Sequence, residues 1–328
     1  MYYLGIDGGG TKTAFLLVDR HGKTVCRGMA GGCAYPELGI AGVVEVLRAQ
    51  LHQMLAESGL QPDRIAGAAA GLPCYGEDPG ADKELSAGVK SLLSGVRWGI
   101  YNDVELGWAG SLGLQAGIHV VAGTGAIVYG RDGHGRSARA NGWHEDFSDE
   151  GSGYWLGLQA LSLFAKEQDG RLPRSPLYET IGEALGEMGR EALVPLYVKH
   201  YQGRRNRIAA LQPALLKAAR LGDENALQLY DRAANELAAG VRAVASKLEF
   251  SPEKPIPVSY SGGIFQGGEI ILEPLKRRLQ GMGFELREPL MDPVRGGVLL
   301  AAYQAEPELA DRIREWLGES RIKKVEDR

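Results

Sequence analysis

The sequence predicts an α/β fold built from two domains. In the first third of the chain, short apolar runs alternate with longer amphipathic stretches, which is typical of strands alternating with helices. From Gly117 a strand, a glycine-rich turn and a second strand follow one another again, as they do at the N-terminus. The 328 residues suffice for two domains that each bury a core.

The elements of the first part can be assigned in order. Three strands are predicted at "YYLGID", "TAFLLVD" and "TVCRGMAG", because apolar residues dominate each run and turn residues separate them. A long helix follows in "GIAGVVEVLRAQLHQMLAESG", where apolar residues recur at helical spacing before a glycine. The remaining elements are a strand at "IAGAAAGLP", a helix near 82–94, a strand at "VRWGIYND" and a helix at "VELGWAGSLGLQ".

The second part repeats the strand, turn and strand order in "GIHVVAGTGAIVYGRDGHG" and continues as a mostly helical block over 152–249. A strand, a loop and a helix return in "IPVSYSGGIFQGGEIILEPLKRRL". We therefore predict an N-terminal domain over 1–117 and a C-terminal domain with a helical insertion over 118–328. The charged C-terminal tail is a candidate to pack back on the N-terminal domain.

Composition argues against several functions. The net charge is -4 without a clustered basic face, so no nucleic-acid partner is expected. We expect no membrane span and no signal peptide, because no apolar run reaches about 18 residues and the N-terminus lacks a basic and apolar leader. The cysteines Cys26, Cys33 and Cys74 have no metal-binding spacing and are expected to be reduced thiols of a cytoplasmic protein.

Three glycine-rich segments indicate a nucleotide site. In "DGGGTKT" the backbone N–H groups are free of Cβ atoms and can surround phosphate oxygens, and Asp7 could hold a hydrated Mg²⁺. "GTGA" offers a second phosphate turn with Thr124, and "SGGIFQGG" offers backbone on which a purine ring could lie. The first turn matches neither a Walker A motif nor a Rossmann fingerprint, because a strand follows it. A turn that only reverses the chain is the alternative for each segment alone.

In their order, "DGGGTKT", "GTGA", "FSDEGSGYWLG" and "SGGIFQGG" resemble the sugar kinase/Hsp70/actin superfamily. Within it, the chain is similar to the BadF/BadG/BcrA/BcrD-type ATPases, in the N-acetylglucosamine kinase branch, over essentially its whole length. The resemblance implies two ribonuclease-H-like, actin-like ATPase domains flanking a nucleotide cleft. It also implies ATP and Mg²⁺ as cofactors and an amino sugar whose hydroxyl, at C6, is phosphorylated.

The resemblance implies a role for each matching residue. The residues implied to bind ATP lie in the three glycine segments: Gly8, Gly9, Gly10, Thr11, Lys12, Thr13, Thr124, Gly125, Gly262 and Gly263. Asp103 would be the catalytic base and contact the sugar, and the other implied sugar contacts are Gly142, Trp143, His144 and Asp149. As single residues, Asp103 and Asp149 could instead cap helices, Trp143 could be a packed aromatic, and His144 a solvated loop residue.

Two departures from the family pattern lie on the sugar side. The family's Asn after the third strand is absent from "GGCAYPELG", which has Ala34 and Tyr35, and Gly-Trp-Gly appears as Gly142-Trp143-His144. Tyr35, Tyr75 and His144 are candidates to reshape the pocket. Glucosamine and N-acetylmuramic acid therefore stay open as substrates beside N-acetylglucosamine.

Two other functions are weighed against a kinase. An ATPase activator with an iron–sulfur cluster needs cysteines at a dimer interface, whereas all three cysteines precede Asp103. A sensor without turnover would typically add a DNA-binding arm, for which the first strand at Tyr2 leaves no room. Asp103 and Asp149 favour turnover. A homodimer formed through the helical block is open.

Overall fold

The computed structural model describes residues 1–186 and 191–315, which form two units with one five-stranded sheet each. Unit 1 comprises Met1–Gln115 and the described chain from Glu288, and unit 2 comprises Ala116–Arg287. The predicted α/β class is confirmed. The end of the charged tail, after residue 315, lies outside the described residues. Within 1–186 and 191–315, no helix has the length and apolar character needed to cross a membrane.

The sheet of unit 1 has the strand order β3-β2-β1-β4-β5. Its strands are β1 (Tyr2–Gly8), β2 (Lys12–Asp19), β3 (Thr24–Gly31), β4 (Ile65–Leu72) and β5 (Arg97–Asn102). The first three pair antiparallel, and β4 and β5 continue the sheet parallel to β1. All five lie where the apolar runs predict strands. Most consecutive residues of β1 and β4 are buried, because both faces of the sheet are covered at these two strands.

Three helices follow these strands in unit 1: α1 (Tyr35–Ser58), α2 (Pro79–Lys90) and α3 (Asp103–Leu112). α1 begins earlier than predicted and is interrupted at Gly39, whose φ is 68°. α2 begins three residues before and ends four residues before the predicted bounds of 82 and 94. This helix begins at Pro79 because the Asp78 carboxylate accepts hydrogen bonds from the N–H groups of Gly80 and Ala81.

The sheet of unit 2 has the order β10-β9-β6-β7-β8. Its strands are β6 (Gly117–Ala122), β7 (Ala126–Arg131), β8 (Ser137–Asn141), β9 (Ile256–Ser261) and β10 (Phe284–Leu286). β8 was not predicted, because "SARAN" contains neither a β-branched nor an aromatic residue. It forms by pairing antiparallel with β7, a contact that the local sequence does not show.

The helices of unit 2 confirm the predicted helical block. Those with both ends in the described residues include α4 (Gly153–Gln168), α5 (Pro176–Leu185), α6 (Leu193–His200), α7 (Arg205–Ala209), α8 (Gln212–Arg220), α9 (Glu224–Ala245) and, beyond β9, α10 (Glu269–Gln280). α9 packs against α10 and against β7, so this layer closes the core of the second sheet.

A further helix, α11 (Pro293–Ala305), belongs to unit 1 and packs against β1, β4 and α3. The helices α11 and α3 meet through their backbones. A Cβ on Gly296 would overlap the carbonyl oxygen of Leu106 and lie 2.5 Å from the nitrogen of Gly110. The glycines of "RGGV" are therefore needed for packing, although they make the segment a weak helix in sequence terms.

We expect Gly296→Ala to destabilise the protein by about 2 kcal/mol, because the added methyl meets backbone atoms that no rotamer change can move. The better helix propensity of alanine, worth about 1 kcal/mol, is too small to offset this. Chemical denaturation of the variant measures the change. Gly133→Ala is the control, since a Cβ there meets no atom within 4 Å. Equal stability of the two variants would contradict the packing argument.

Candidate functional site

The carboxyl ends of β1, β4 and β5 lie side by side at one edge of the unit 1 sheet. Asp7 is in register with Gly71 of β4, and Gly71 with Tyr101 of β5. Asp103 follows β5 directly. Gly71 permits the close approach, since a Cβ there would lie 3.0 Å from the Cα of Asp103. Two carboxylates that are far apart in sequence therefore meet at this edge.

Asp103 is not the cap of α3. Asn102 takes that role by accepting a hydrogen bond from the Val104 N–H at 3.2 Å, and the Glu105 side chain accepts one from the Asn102 N–H at 3.1 Å. Asp103 itself accepts a hydrogen bond from the same Val104 N–H at 3.0 Å. Because its neighbour caps the helix, the Asp103 carboxylate is not needed for helix initiation.

Burial raises the pKa of both carboxyl groups. The pKa of Asp103 reaches about 6, because desolvation outweighs its backbone hydrogen bonds, and the charge of Glu77 adds to the rise. The pKa of Asp7 reaches about 8, through desolvation first and then through Asp103 and Asp292, with Lys12 opposing. Negative charge at this edge is therefore undercompensated, which favours a bound cation.

The carboxylate oxygens at this edge suit a hydrated divalent cation. Mg²⁺ typically binds one or two carboxylates, keeps several waters and takes its other ligands from phosphate. Among the residues that the structure describes, no group of three or more His, Cys, Asp or Glu could enclose a metal ion. Asp7 and Asp103 thus fit an ion that arrives with phosphate oxygens rather than one held by the protein alone.

The first glycine turn is held by backbone contacts. The Gly9 N–H donates to the Lys12 carbonyl at 2.9 Å, and the Gly9 carbonyl accepts from the Cys33 N–H at 3.0 Å. A Cβ on Gly8 would overlap the Cys33 sulfur, so only glycine fits there. Gly10, Thr11 and Lys12 are exposed at the tip. The tip therefore offers backbone, a hydroxyl and a cation to an anion.

Thr13, for which a phosphate contact is predicted, lies in the interior of unit 1. Its side chain is fully buried, and its hydroxyl donates to the Gly31 carbonyl at 2.8 Å. Successive side chains of a strand point to opposite faces, so Thr13 of β2 points inward and Lys12 before it is exposed. In this structure the Thr13 hydroxyl joins β2 to β3 and is not presented to a phosphate.

The second glycine turn, Gly123–Ala126, is held by the start of α4. The N–H of Gly153 donates to the Gly123 carbonyl at 2.7 Å, and the N–H of Tyr154 donates to the Thr124 carbonyl at 3.1 Å. Within the turn, the Gly123 N–H donates to the Gly125 carbonyl at 2.9 Å. The Thr124 side chain remains exposed. The turn is thus rigid in its backbone and open at Thr124.

Asp149 lies behind this turn and is only 3% exposed. One carboxylate oxygen accepts from the Ala126 N–H at 3.2 Å, and the other pairs with the Arg205 guanidinium. Burial raises the pKa of Asp149, and Arg205 opposes this rise. The helix cap is Ser152 rather than Asp149. In this structure Asp149 supports the turn, and its predicted contact with a sugar stays a prediction.

Gly142, Trp143 and His144 lie in an exposed segment after β8. Gly142 has a φ of 69°, in the left-handed region that favours glycine. Trp143 is 67% exposed, with the Arg139 guanidinium 5.0 Å from the centre of its ring. His144 stacks on Phe147 at 5.6 Å between ring centres. Trp143 is therefore a surface aromatic and not a packed core residue.

Gly262 and Gly263 follow β9 as predicted. Gly262 has a φ of 109°, and a Cβ there would overlap the carbonyl of Ala122 at the end of β6. Gly263 begins a 3₁₀ turn over Gly263–Gly267, and a Cβ on it would meet no atom within 4 Å. Gly262 is required by the fold, while Gly263 leaves an open backbone surface.

Tyr35 and Tyr75 lie near the loop that precedes α2. The Asn102 side chain donates to the Tyr75 carbonyl at 2.8 Å, which ties this loop to the residue before Asp103. Burial raises the pKa of Tyr35, and Cys74 with the acidic residues of the loop adds to the rise. Tyr75 therefore belongs to the surroundings of α3, while Tyr35, the first residue of α1, lies near the loop that precedes α2.

Sequence reasoning missed two charged residues of these sites. Asp292 caps α11, accepting a hydrogen bond from the Arg295 N–H at 3.1 Å, and its charge acts on Asp7. Arg205 neutralises Asp149. The only sequence signal for Arg205 is the basic run "GRRNR", which interrupts the helical block. For Asp292, the order Asp-Pro before an apolar run indicates a helix start.

Comparisons with known proteins agree on a family. Residues 4–301 match the model of the BadF/BadG/BcrA/BcrD ATPase family. The N-acetyl-D-glucosamine kinase of Dictyostelium discoideum is 28% identical over 91% of this chain and 97% of its own. The N-acetylmuramic acid/N-acetylglucosamine kinase of Clostridium acetobutylicum is 29% identical over 85% of this chain and 90% of its own.

Among solved structures, this chain is similar to a protein from Chromobacterium violaceum, provisionally assigned as an N-acetylglucosamine kinase. The TM-score is 0.70 with 28% identity, over 91% of this chain and 98% of that one. The two mixed five-stranded sheets accordingly have the actin-like ATPase fold that the resemblance implies.

We expect Asp7→Asn to raise the midpoint of thermal unfolding, by more at pH 8 than at pH 5. The folded-state pKa of Asp7 is about 8 against an ordinary 3.8, so stability is lost as pH rises through this interval. Asparagine has the same shape and no charge to desolvate. Calorimetry without Mg²⁺ measures the gain.

Asp63→Asn is the control for this prediction, because Asp63 is exposed on the same unit. It should leave the unfolding midpoint nearly unchanged at both pH values. A gain of the same size at pH 5 and pH 8, or a loss, would contradict the electrostatic argument.

Proposed function

The chain belongs to the BadF/BadG/BcrA/BcrD ATPase family, and we propose that it is an ATP-dependent kinase of an amino sugar, phosphorylating a hydroxyl of an N-acetylglucosamine-like substrate at C6. The observation that carries the proposal is Asp103, a carboxylate with a raised pKa beside Asp7 at one sheet edge. The relatives named as amino-sugar kinases, matched over most of their length, support the substrate class.

Each unit offers its own contacts to the nucleotide. In unit 1, the glycine turn with Thr11 and Lys12 suits phosphate oxygens, and Asp7 suits the waters around Mg²⁺. In unit 2, the contacts are Thr124, Gly125, Gly262 and Gly263. ATP supplies the phosphoryl group, and Mg²⁺ neutralises charge on its phosphates. The protein contributes position and charge rather than a covalent intermediate.

Asp103 accepts the proton of the sugar hydroxyl. As this proton leaves, the hydroxyl oxygen forms a bond to the γ-phosphorus, and the bond between the γ-phosphorus and the bridging oxygen breaks to release ADP. A pKa of about 6 leaves Asp103 ionised at neutral pH and more basic than an ordinary aspartate. Asn102 and Glu105 cap the helix, so Asp103 keeps its carboxylate for this step.

The sugar contacts are proposed on unit 2 and around α3. Trp143 offers an exposed apolar face suited to a sugar ring, with Gly142 and His144 beside it. Tyr35 and Tyr75 take the place of polar contacts that the family pattern places near Ala34. N-acetylglucosamine is the preferred substrate, and glucosamine and N-acetylmuramic acid are the alternatives.

We expect Asp103→Asn to lower kcat/KM by about 10²–10⁴-fold, the usual contribution of a general base, with little change in MgATP binding. In the wild type, kcat/KM should fall below about pH 6, because a protonated Asp103 cannot accept the hydroxyl proton. Steady-state kinetics between pH 5 and 9 test both points. Asp63→Asn serves as the exposed control. A wild-type profile without an acid limb would contradict the role of Asp103.

The substrate is tested by a coupled ADP-release assay against N-acetylglucosamine, glucosamine, N-acetylmuramic acid, N-acetylmannosamine and glucose. We expect N-acetylglucosamine to give the highest kcat/KM and Asp103→Ala to abolish turnover. ADP release that does not depend on sugar would favour an ATPase activator. MgATP binding without turnover on any sugar would favour a sensor.

A further inference from the structure

Arg205, the first residue of α7, joins the second glycine turn to the segment that carries Trp143. One terminal nitrogen of its guanidinium pairs with Asp149, and the other lies 3.7 Å from a carboxylate oxygen of Glu145. The same guanidinium packs on the backbone of the turn, because a Cβ on Gly125 would overlap it. A residue of the helical insertion therefore touches both parts of the candidate site in unit 2.

The position of Arg205 is set by close packing of α7 on α4. A Cβ on Gly157 of α4 would overlap the carbonyl of Ile208, so the two helices meet at their backbones. One turn earlier, a Cβ on Gly153 would lie 3.5 Å from the Ala209 side chain. α4 also holds the turn directly through its first N–H groups. The turn, α4 and α7 thus form one packed assembly.

The charges explain why an arginine is needed there. Asp149 is 3% exposed and accepts from the Ala126 N–H. A buried carboxylate is stable only when it is paired, and removing its partner leaves an uncompensated charge. The Arg205 side chain is 39% exposed and so loses less hydration than Asp149. Because its charge is balanced by Asp149 and Glu145, the guanidinium is not a free cation for phosphate.

We propose that Arg205 is a positioning residue for the nucleotide: it holds the Asp149 carboxylate against the Ala126 N–H and so keeps the second glycine turn in a phosphate-binding conformation. The inference rests on the proposed function in that this turn binds phosphate. It assigns to the helical insertion a part in nucleotide affinity, exerted through Asp149 and without contact between Arg205 and the nucleotide.

MgATP binding without sugar, measured by titration calorimetry, tests the inference. We expect Arg205→Met to weaken MgATP binding about tenfold or more, which corresponds to about 1.4 kcal/mol. Adding Asp149→Asn to Arg205→Met should restore most of the affinity, because asparagine keeps an acceptor for Ala126 without a buried charge. Arg205→Lys, which retains the charge, should weaken binding less than Arg205→Met.

Arg207→Met is the matched control, since Arg207 is exposed on the same helix and contacts His200. It should bind MgATP like the wild type. Thermal unfolding shows whether each variant is folded, and the restored double variant shows that the loss in Arg205→Met is not general unfolding.

The outcomes separate the inference from the proposed function. Wild-type affinity in Arg205→Met would overturn the inference alone. So would a double variant that binds no more tightly than Arg205→Met, because removing the buried charge of Asp149 would then not relieve the loss. Failure of the wild-type protein to bind MgATP would overturn the proposed function together with this inference.

Discussion

The proximity of two carboxylates at one edge of the unit 1 sheet is the constraint on which the site depends. Parallel pairing of β1, β4 and β5 aligns Asp7 and Asp103, and Gly71 between them leaves no side chain in the way. Burial raises the pKa of both groups, the charge of Asp103 adds to the rise at Asp7, and this costs stability. Such an arrangement is useful where a cation and a proton-donating substrate are to be bound.

Helix α11 contributes to the site formed by Asp7 and Asp103. α11 packs against β1 and α3 at distances that only glycines allow, at Gly5, Gly110 and Gly296. Its cap, Asp292, adds a further negative charge that acts on Asp7. The close backbone packing of α11 therefore has two effects. It stabilises unit 1, and it brings the Asp292 carboxylate to the site.

In unit 2 the buried carboxylate of Asp149 is paired with an arginine. Asp149 is neutralised by Arg205 and spends its second oxygen on the backbone of the glycine turn. Its charge thus serves to hold backbone in place, whereas Asp103 in unit 1 accepts a hydrogen bond from the Val104 N–H and forms no ion pair with the residues that the structure describes. The surroundings of the two aspartates therefore differ because the fold brings a different partner to each.

The sequence by itself determined most of the strands and the glycine turns, because apolar periodicity and the need for small residues in turns are local properties. It also indicated the family, because the glycine-rich motifs follow one another along the chain in the order that is typical of that family. The tertiary structure decided that Thr13 faces the interior, that Asp149 is buried and that Arg205 is its partner. These features depend on residues distant in sequence, since burial and charge pairing arise only when β3, α4 and α7 pack against the turns.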